Sequence, residues 1–378
     1  MVHRSFAPGS FGAGSLAAFR LTAVGLLALS APAAAQTPAP ASEPATAPAR
    51  PAAPAVSGTI RGNYHYLLGG PNEDFNQFVV ERVYLTVRGP VAPRTTFRVT
   101  SDVYQSGDAN GWTVRMKYAY LDYALNTGAW ATALRAGILQ TVAIEPQETY
   151  WPRWLGPVAI DRHGFFQSAD AGVSATTTLP GEMGEVFAHV VNGTGYTRRE
   201  IDRYKDFGAR VSLTPFASRY DGLLGSVALT GWVYEGAQAG TIEALQRDRW
   251  GVHAAADNPR LTLAADHSRR TDVAEDTTFR PGEVGFTSET EGSVTSAFAI
   301  VRPFGRVVEN RKPAFGLVGR YDHVEPGTIG DTDYHYLLGG AIYALNSRFA
   351  VSLNYQEQLG SPTRGPFRGV FANVVLDF

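Results

Sequence analysis

The chain has 378 residues, 44% hydrophobic and 18% charged, with 40 Gly, 23 Pro, no Cys and a formal net charge of −2. The missing Cys excludes a disulfide framework, thiolate metal sites and a Cys nucleophile, and the near-neutral charge excludes the basic excess of a nucleic-acid binder. Charge is scarcer and Gly more abundant than in ordinary soluble domains.

Residues 1–35 read as a secretory signal peptide. His3, Arg4 and Arg20 precede an apolar core, Leu21 to Leu29, and Ala33-Ala34-Ala35 fits the small-x-small cleavage pattern. That core is well short of the roughly 20 residues a spanning helix needs. Residues 36–57 are dominated by Ala and Pro and read as an extended linker without a core of its own.

From residue 58 the period is two. Ile60, Gly62, Tyr64, Tyr66 and Leu68 alternate with Thr59, Arg61, Asn63 and His65; Val83, Leu85 and Val87 alternate with Arg82, Tyr84, Thr86 and Arg88. Trp112, Val114, Met116, Tyr118 and Tyr120 alternate with Thr113, Arg115 and Lys117, and Phe349, Val351, Leu353 and Tyr355 with Arg348, Ser352 and Asn354. This pattern predicts sixteen strands: 58–68, 75–88, 94–105, 111–125, 131–139, 168–179, 184–192, 204–214, 222–234, 247–256, 259–269, 290–302, 313–323, 333–345, 347–357 and 366–378. Connectors after even strands are mostly short turns such as Gly89-Pro90 and Asn346-Ser347. Those after odd strands are often longer, notably 140–167, 193–203, 235–246, 270–289 and 358–365.

A soluble sandwich would bury the aromatic face, and a propeller would repeat a motif every 40–50 residues, which this chain does not. An all-β fold, a transmembrane antiparallel up-and-down barrel over 58–378, accounts for the even strand number, the unequal connectors and the apolar-out, polar-in alternation. No water satisfies a sheet edge in hydrocarbon, so the last strand must pair with the first. Phe378, preceded by Leu376, Val374, Ala372 and Val370 at every second position, resembles the assembly signal of outer-membrane barrels. That implies the barrel-assembly machinery and outer-membrane lipid as partners.

Several segments resemble the phosphate-selective porins O and P of Gram-negative outer membranes. They are Phe78-Val79-Val80-Glu81-Arg82-Val83-Tyr84-Leu85, Ala169-Asp170-Ala171-Gly172-Val173, Val190-Val191-Asn192-Gly193, Lys205-Asp206-Phe207-Gly208-Ala209-Arg210-Val211 and Gly340-Ala341-Ile342-Tyr343-Ala344-Leu345-Asn346. The resemblance spans about 58–378 and implies a homotrimeric channel with an inward-folded third loop. Where the family often reads Gly-Gln-Phe-Lys-x-Pro-Phe entering that loop, this chain has Gly137-Ile138-Leu139-Gln140-Thr141-Val142-Ala143, so the basic position becomes Gln140.

No catalytic constellation or metal motif stands out. The eight His residues include no His-Glu-x-x-His spacing, and a lone barrel His is more often a satisfied lumen or rim residue. The reading requires no cofactor. What remains is a lining: Arg61, Arg82, Arg88, Arg98, Arg115, Lys117, Arg135, Arg210, Arg249, Arg320 and Arg348 fall on the polar phase of their strands. An Arg facing lipid costs about 2–4 kcal/mol at the midplane, which favours the lumen. There such groups either attract small anionic solutes or pair with Glu81, Asp102, Asp206, Asp322 or Asp377.

The long connector carries Glu145, Glu148, Tyr150, Trp151, Arg153, Trp154, Asp161, Arg162 and His163. Its aromatics are awkward in water, so it is expected to fold inward and narrow the pore; packing on neighbouring subunits is the alternative. The sequence favours an outer-membrane diffusion channel with modest anion preference. A narrow or plugged structural or adhesive barrel is the second reading and a barrel lipase the third.

Overall fold

The computed structural model describes residues 53–106, 111–215, 225–240, 244–275, 287–309, 312–327, 332–360 and 366–378. The expected signal peptide and residues 36–52 of the expected linker lie outside them. The strands run in chain order as β1 (Ala55–Gly69), β2 (Asn76–Ala92), β3 (Thr95–Gln105), β4 (Trp112–Asn126), β5 (Thr132–Gln140) and β6 (Ala169–Thr178). Then come β7 (Gly184–Val191), β8 (Asp206–Leu213), β9 (Ser226–Ala239), β10 (Ala244–Asp257), β11 (Leu261–Glu275) and β12 (Thr287–Val301). A two-stranded ribbon, β13 (Val307–Glu309) and β14 (Lys312–Pro313), precedes β15 (Phe315–Glu325), β16 (Tyr334–Ala344), β17 (Phe349–Leu359) and β18 (Phe367–Asp377).

All but the ribbon join one closed antiparallel barrel of sixteen strands, with β1 paired to both β2 and β18. Each of the sixteen expected strands is present. β1 starts earlier than expected, because Ala55, Val56 and Ser57 pair with Arg88, Val87 and Thr86. Strand takes in 235–239 and 244–246 of the connector expected at 235–246, and 270–275 and 287–289 of that expected at 270–289, since β9 to β12 run beyond the alternating apolar stretch that marks them in sequence.

The outer face is apolar as expected: Val80, Leu85, Val114, Val211, Leu229, Val252, Leu317 and Leu353 are all exposed there. Of the register shifts among the described residues, two fall well inside strands and break the alternation. Thr100 faces Tyr118 while Ser101 faces Met116, which leaves Lys117 as the extra residue of β4. One inserted residue flips every side chain beyond it to the other face. Trp112, Val114 and Met116 therefore face outward, but Tyr118 and Tyr120, expected beside them, pack into the interior, and Leu121, Tyr123 and Leu125 take over the outer face. In β2 the extra residue is Glu81, between the pairs Arg61–Arg82 and Gly62–Val80.

Closure is sealed at Gly58 and Phe378, which exchange backbone hydrogen bonds of 2.9 and 3.0 Å. The Phe378 ring occupies the space a side chain at 58 would fill, since a Cβ there would lie 2.3 Å from its Cζ. Phe378→Ala is expected to lower the heat-modifiable, folded fraction without altering the conductance of the channels that form. Gly58→Val, which displaces the ring, is expected to do the same. Wild-type folding yields for both would remove the seam from the assembly argument.

Candidate functional site: the inward loop and the basic wall

Between β5 and β6 the chain turns into the barrel. Its prolines, Pro146, Pro152 and Pro157, keep helices short by removing donors. The result is α1 (Ile144–Glu148), a 3-10 turn (Arg153–Leu155) and α2 (Ala159–Arg162). Gly156 has φ 134°, a conformation side chains disfavour, and its carbonyl accepts the Trp151 indole N–H at 2.8 Å.

One side of the loop is apolar and buried: Val142, Ile144, Trp151, Leu155, Ile160 and Phe166. It packs on inward residues of the wall, with Trp151 edge-on to Phe298 at 4.9 Å and Phe166 against Trp232 and Tyr234. Inward positions on this side include Phe298, Ile300, Val318, Val324 and Leu338, not the polar lining expected. The loop shields them from water, and each buried large side chain contributes about 1.5–3 kcal/mol.

The buried backbone of the loop needs donors, and wall side chains supply them. Arg210 donates to the Val142 carbonyl at 2.9 Å, Arg249 to Phe165 at 3.1 Å, Arg320 to Pro157 at 2.6 Å and Asn373 to Trp154 at 3.3 Å. His163 sits between Asp322 (2.9 Å) and the Tyr334 hydroxyl (3.0 Å), and burial lowers its pKa. Arg210 and Arg320, expected along the channel, are only 3% and 5% exposed. Arg210 also pairs with Glu185, and Arg320 grips Asp322 through two bonds of 2.8 and 2.7 Å. Both are sealed under the loop and brace it, because that is where its carbonyls lie.

The other expected cations gather on β1 to β5. Asp102, fully buried, accepts Arg82 at 2.9 Å and Arg115 at 2.8 Å, and Tyr104 lies between their guanidinium groups at 5.0 and 4.2 Å. Lys117 donates to Ser168 Oγ at 2.6 Å, at the loop's end. Arg98 lies over Tyr118 at 4.3 Å and opposite Arg88 in the register. Arg61 lies 5.3 Å from the Tyr84 ring. Arg135 holds Asp122 by two bonds, 2.7 and 3.1 Å, and donates to Gln140 at 2.5 Å. Gln140, where the resembling family is often basic, is thus an acceptor for a wall arginine.

On the loop, Glu148 and Asp161 both pair with Arg153. Glu148 therefore compensates its own loop, while Asp102 does the work on the wall. Glu145 is exposed and shares an interior cleft of about 530 Å³ with Arg135, Glu185 and Arg210. Tyr150 lines that cleft, reaches His253 (5.7 Å between rings), and also borders a second cleft of about 380 Å³ with Trp151, Trp154, Lys312 and Arg348. Of the acids named from sequence as Arg partners, Asp102, Asp206 and Asp322 have them, Asp206 taking Arg247 at 2.8 Å. Glu81 instead accepts from Asn63 and Asp377 from Thr59.

No protein-family model and no curated protein matches the chain. Solved structures do. An anion-selective porin from Comamonas acidovorans aligns over 86% of this chain and 99% of its own, at 12% identity and a TM-score of 0.60. The outer-membrane channel DcaP of Acinetobacter baumannii aligns over 86% and 97%, at 12% and 0.63. Salmonella typhi OmpF, in a complex with daunomycin, aligns over 86% and 97%, at 11% and 0.58. At these identities the likeness establishes the fold: a sixteen-stranded porin-type barrel.

Proposed function

We propose that this protein is a porin of a Gram-negative outer membrane: a water-filled channel for passive diffusion of small hydrophilic solutes, modestly anion-preferring and not an enzyme. The observation that carries the reading is the combination of a closed barrel with an inward loop whose apolar side faces one wall. Its charged groups Glu145, Glu148 and Arg153 are left to the space beside the basic wall, where Arg61 and Lys117 lie within electrostatic reach of Glu148 and Arg153. Anion preference is supported by Arg61, Arg88 and Arg98, for which no carboxylate pairs within 4 Å among the described residues; Lys117, 5% exposed, is sealed at the loop's end and adds little. It is supported too by the anion-selective structural relative. Phosphate as the solute, export by a cleaved signal peptide and a homotrimeric assembly rest on the resemblance and signals in the sequence.

The narrow-barrel reading has its own observation, the amount of interior the loop fills. Purified protein in planar bilayers separates the two. A porin is expected to give discrete conductance steps and a reversal potential on the anion side under a salt gradient; a plugged barrel gives no steps.

A further inference from the structure

On the outer face of the barrel, where β15 ends and β16 begins, four side chains form a two-by-two block. His323 and Glu325, two apart on β15, point to one face. His335 lies opposite His323 in the register, and Asp333 immediately precedes Tyr334, which pairs with Val324 next to Glu325. The two histidines are half-buried and the two carboxylates exposed, just beyond the outward-facing Tyr321 and Leu337. One ligand atom each from His323, Glu325 and Asp333 lies within 4.8 Å of the others.

Two features make this block unlike an ordinary solvated rim. Neighbouring carboxylates repel, yet among the described residues no Arg or Lys pairs with Glu325 or Asp333. Among the described residues, Glu325 has the Ser293 hydroxyl, at 2.6 Å, and His323 as partners. The second is the orientation of His323. Its Nδ1 lies 3.3 Å from His335 Nδ1. Its Nε2 is turned toward Glu325 Oε1, at 3.7 Å.

We propose that His323, Glu325 and Asp333 form a binding site for a zinc-class divalent ion on the outer rim. Tetrahedral bonds of about 2.1 Å put ligand atoms roughly 3.4 Å apart, close to the His323–Glu325 spacing. The ion neutralises the neighbouring carboxylates and binds His323 Nε2, which loses its proton on binding if it carries one. His335 Nδ1 fixes the ligating ring by accepting from its other nitrogen, as metal-bound imidazoles require. Three protein ligands leave a fourth position for water. The ligands come from two strands and so show no spacing in the sequence.

The test is calorimetric titration of untagged, detergent-folded protein with zinc chloride, repeated with magnesium chloride. One zinc per chain is expected, with magnesium failing to compete at tenfold excess, because the site offers imidazole nitrogen to a borderline-soft ion. His323→Ala and Asp333→Asn are each expected to weaken zinc at least tenfold, and His335→Ala roughly tenfold through the supporting shell. These side chains lie on the outer rim, so heat-modifiability serves as the folding control. Cobalt substitution supplies a second readout, a visible absorption that disappears in His323→Ala. No zinc uptake by the wild type, or equal uptake by His323→Ala and Asp333→Asn, would overturn the site.

Discussion

Trp151→Ala is expected to give larger and noisier single-channel steps while leaving the barrel folded. Trp151 is 2% exposed, edge-on to Phe298, with Arg320 over its ring at 4.8 Å and its indole N–H tied to Gly156. Truncating a buried Trp costs about 3–5 kcal/mol, and here the loss falls on a loop of two short helices, not on the strand ladder. Among the remaining anchors, Arg320 to Pro157 and Asn373 to Trp154 hold only backbone, and His163 between Asp322 and Tyr334 holds the far end of the loop. The loop is therefore expected to leave the wall for part of the time, opening the lumen by several-fold in conductance. Trp154→Ala, at a half-buried position, is expected to have a smaller effect. Heat-modifiability checks that the barrel survives in both. Wild-type conductance from folded Trp151→Ala channels would mean that the loop does not set the width of the pore.

The barrel was legible in the sequence because lipid outside enforces one apolar residue in two, a pattern long enough in each strand to survive local exceptions. The exceptions were not legible. Lys117 sits in an alternating stretch, and nothing in Trp112 to Tyr120 marks it as a bulge; only pairing with β3 does so, and it turns Tyr118 and Tyr120 inward. The inward turn of the loop could be read from its aromatics, but not where it lands. Phe298, Ile300 and Leu338 look like members of ordinary two-faced strands until the loop covers them. The acids followed a simpler logic: Asp102 and Asp322 were nameable as Arg partners, since charges in a barrel interior pair. That one carboxylate would serve both Arg82 and Arg115 depends on the register. The rim block at His323 was hidden for the same reason.

Asp102 divides the wall's charge, and selectivity should report it. It binds Arg82 and Arg115 directly, while Glu148 on the loop is engaged with Arg153. Asp102→Asn keeps the shape of the side chain and releases two guanidinium charges, which stay charged at any relevant pH. It is expected to move the reversal potential toward anions. Arg82→Ala with Arg115→Ala removes two cations and leaves Asp102 alone, so the shift is expected to be toward cations. Glu145→Gln, which removes an exposed acid from the cleft facing Arg135, is expected to give a smaller shift toward anions. A unit charge about 4 Å from a passing ion is worth about 1 kcal/mol in water, a change of roughly fivefold in relative permeability. All three shifts should shrink in 1 M salt, where the Debye length is about 3 Å. Because Asp102 is buried, the double Arg variant carries an unpaired interior charge that costs about 3–5 kcal/mol, and adding Asp102→Asn to it should restore folding yield. That triple variant is expected to lie close to the wild type in selectivity, having lost a net charge of only one. Reversal potentials that stay at the wild-type value in Asp102→Asn and in the double Arg variant alike would show that this triad braces the wall and takes no part in selecting ions.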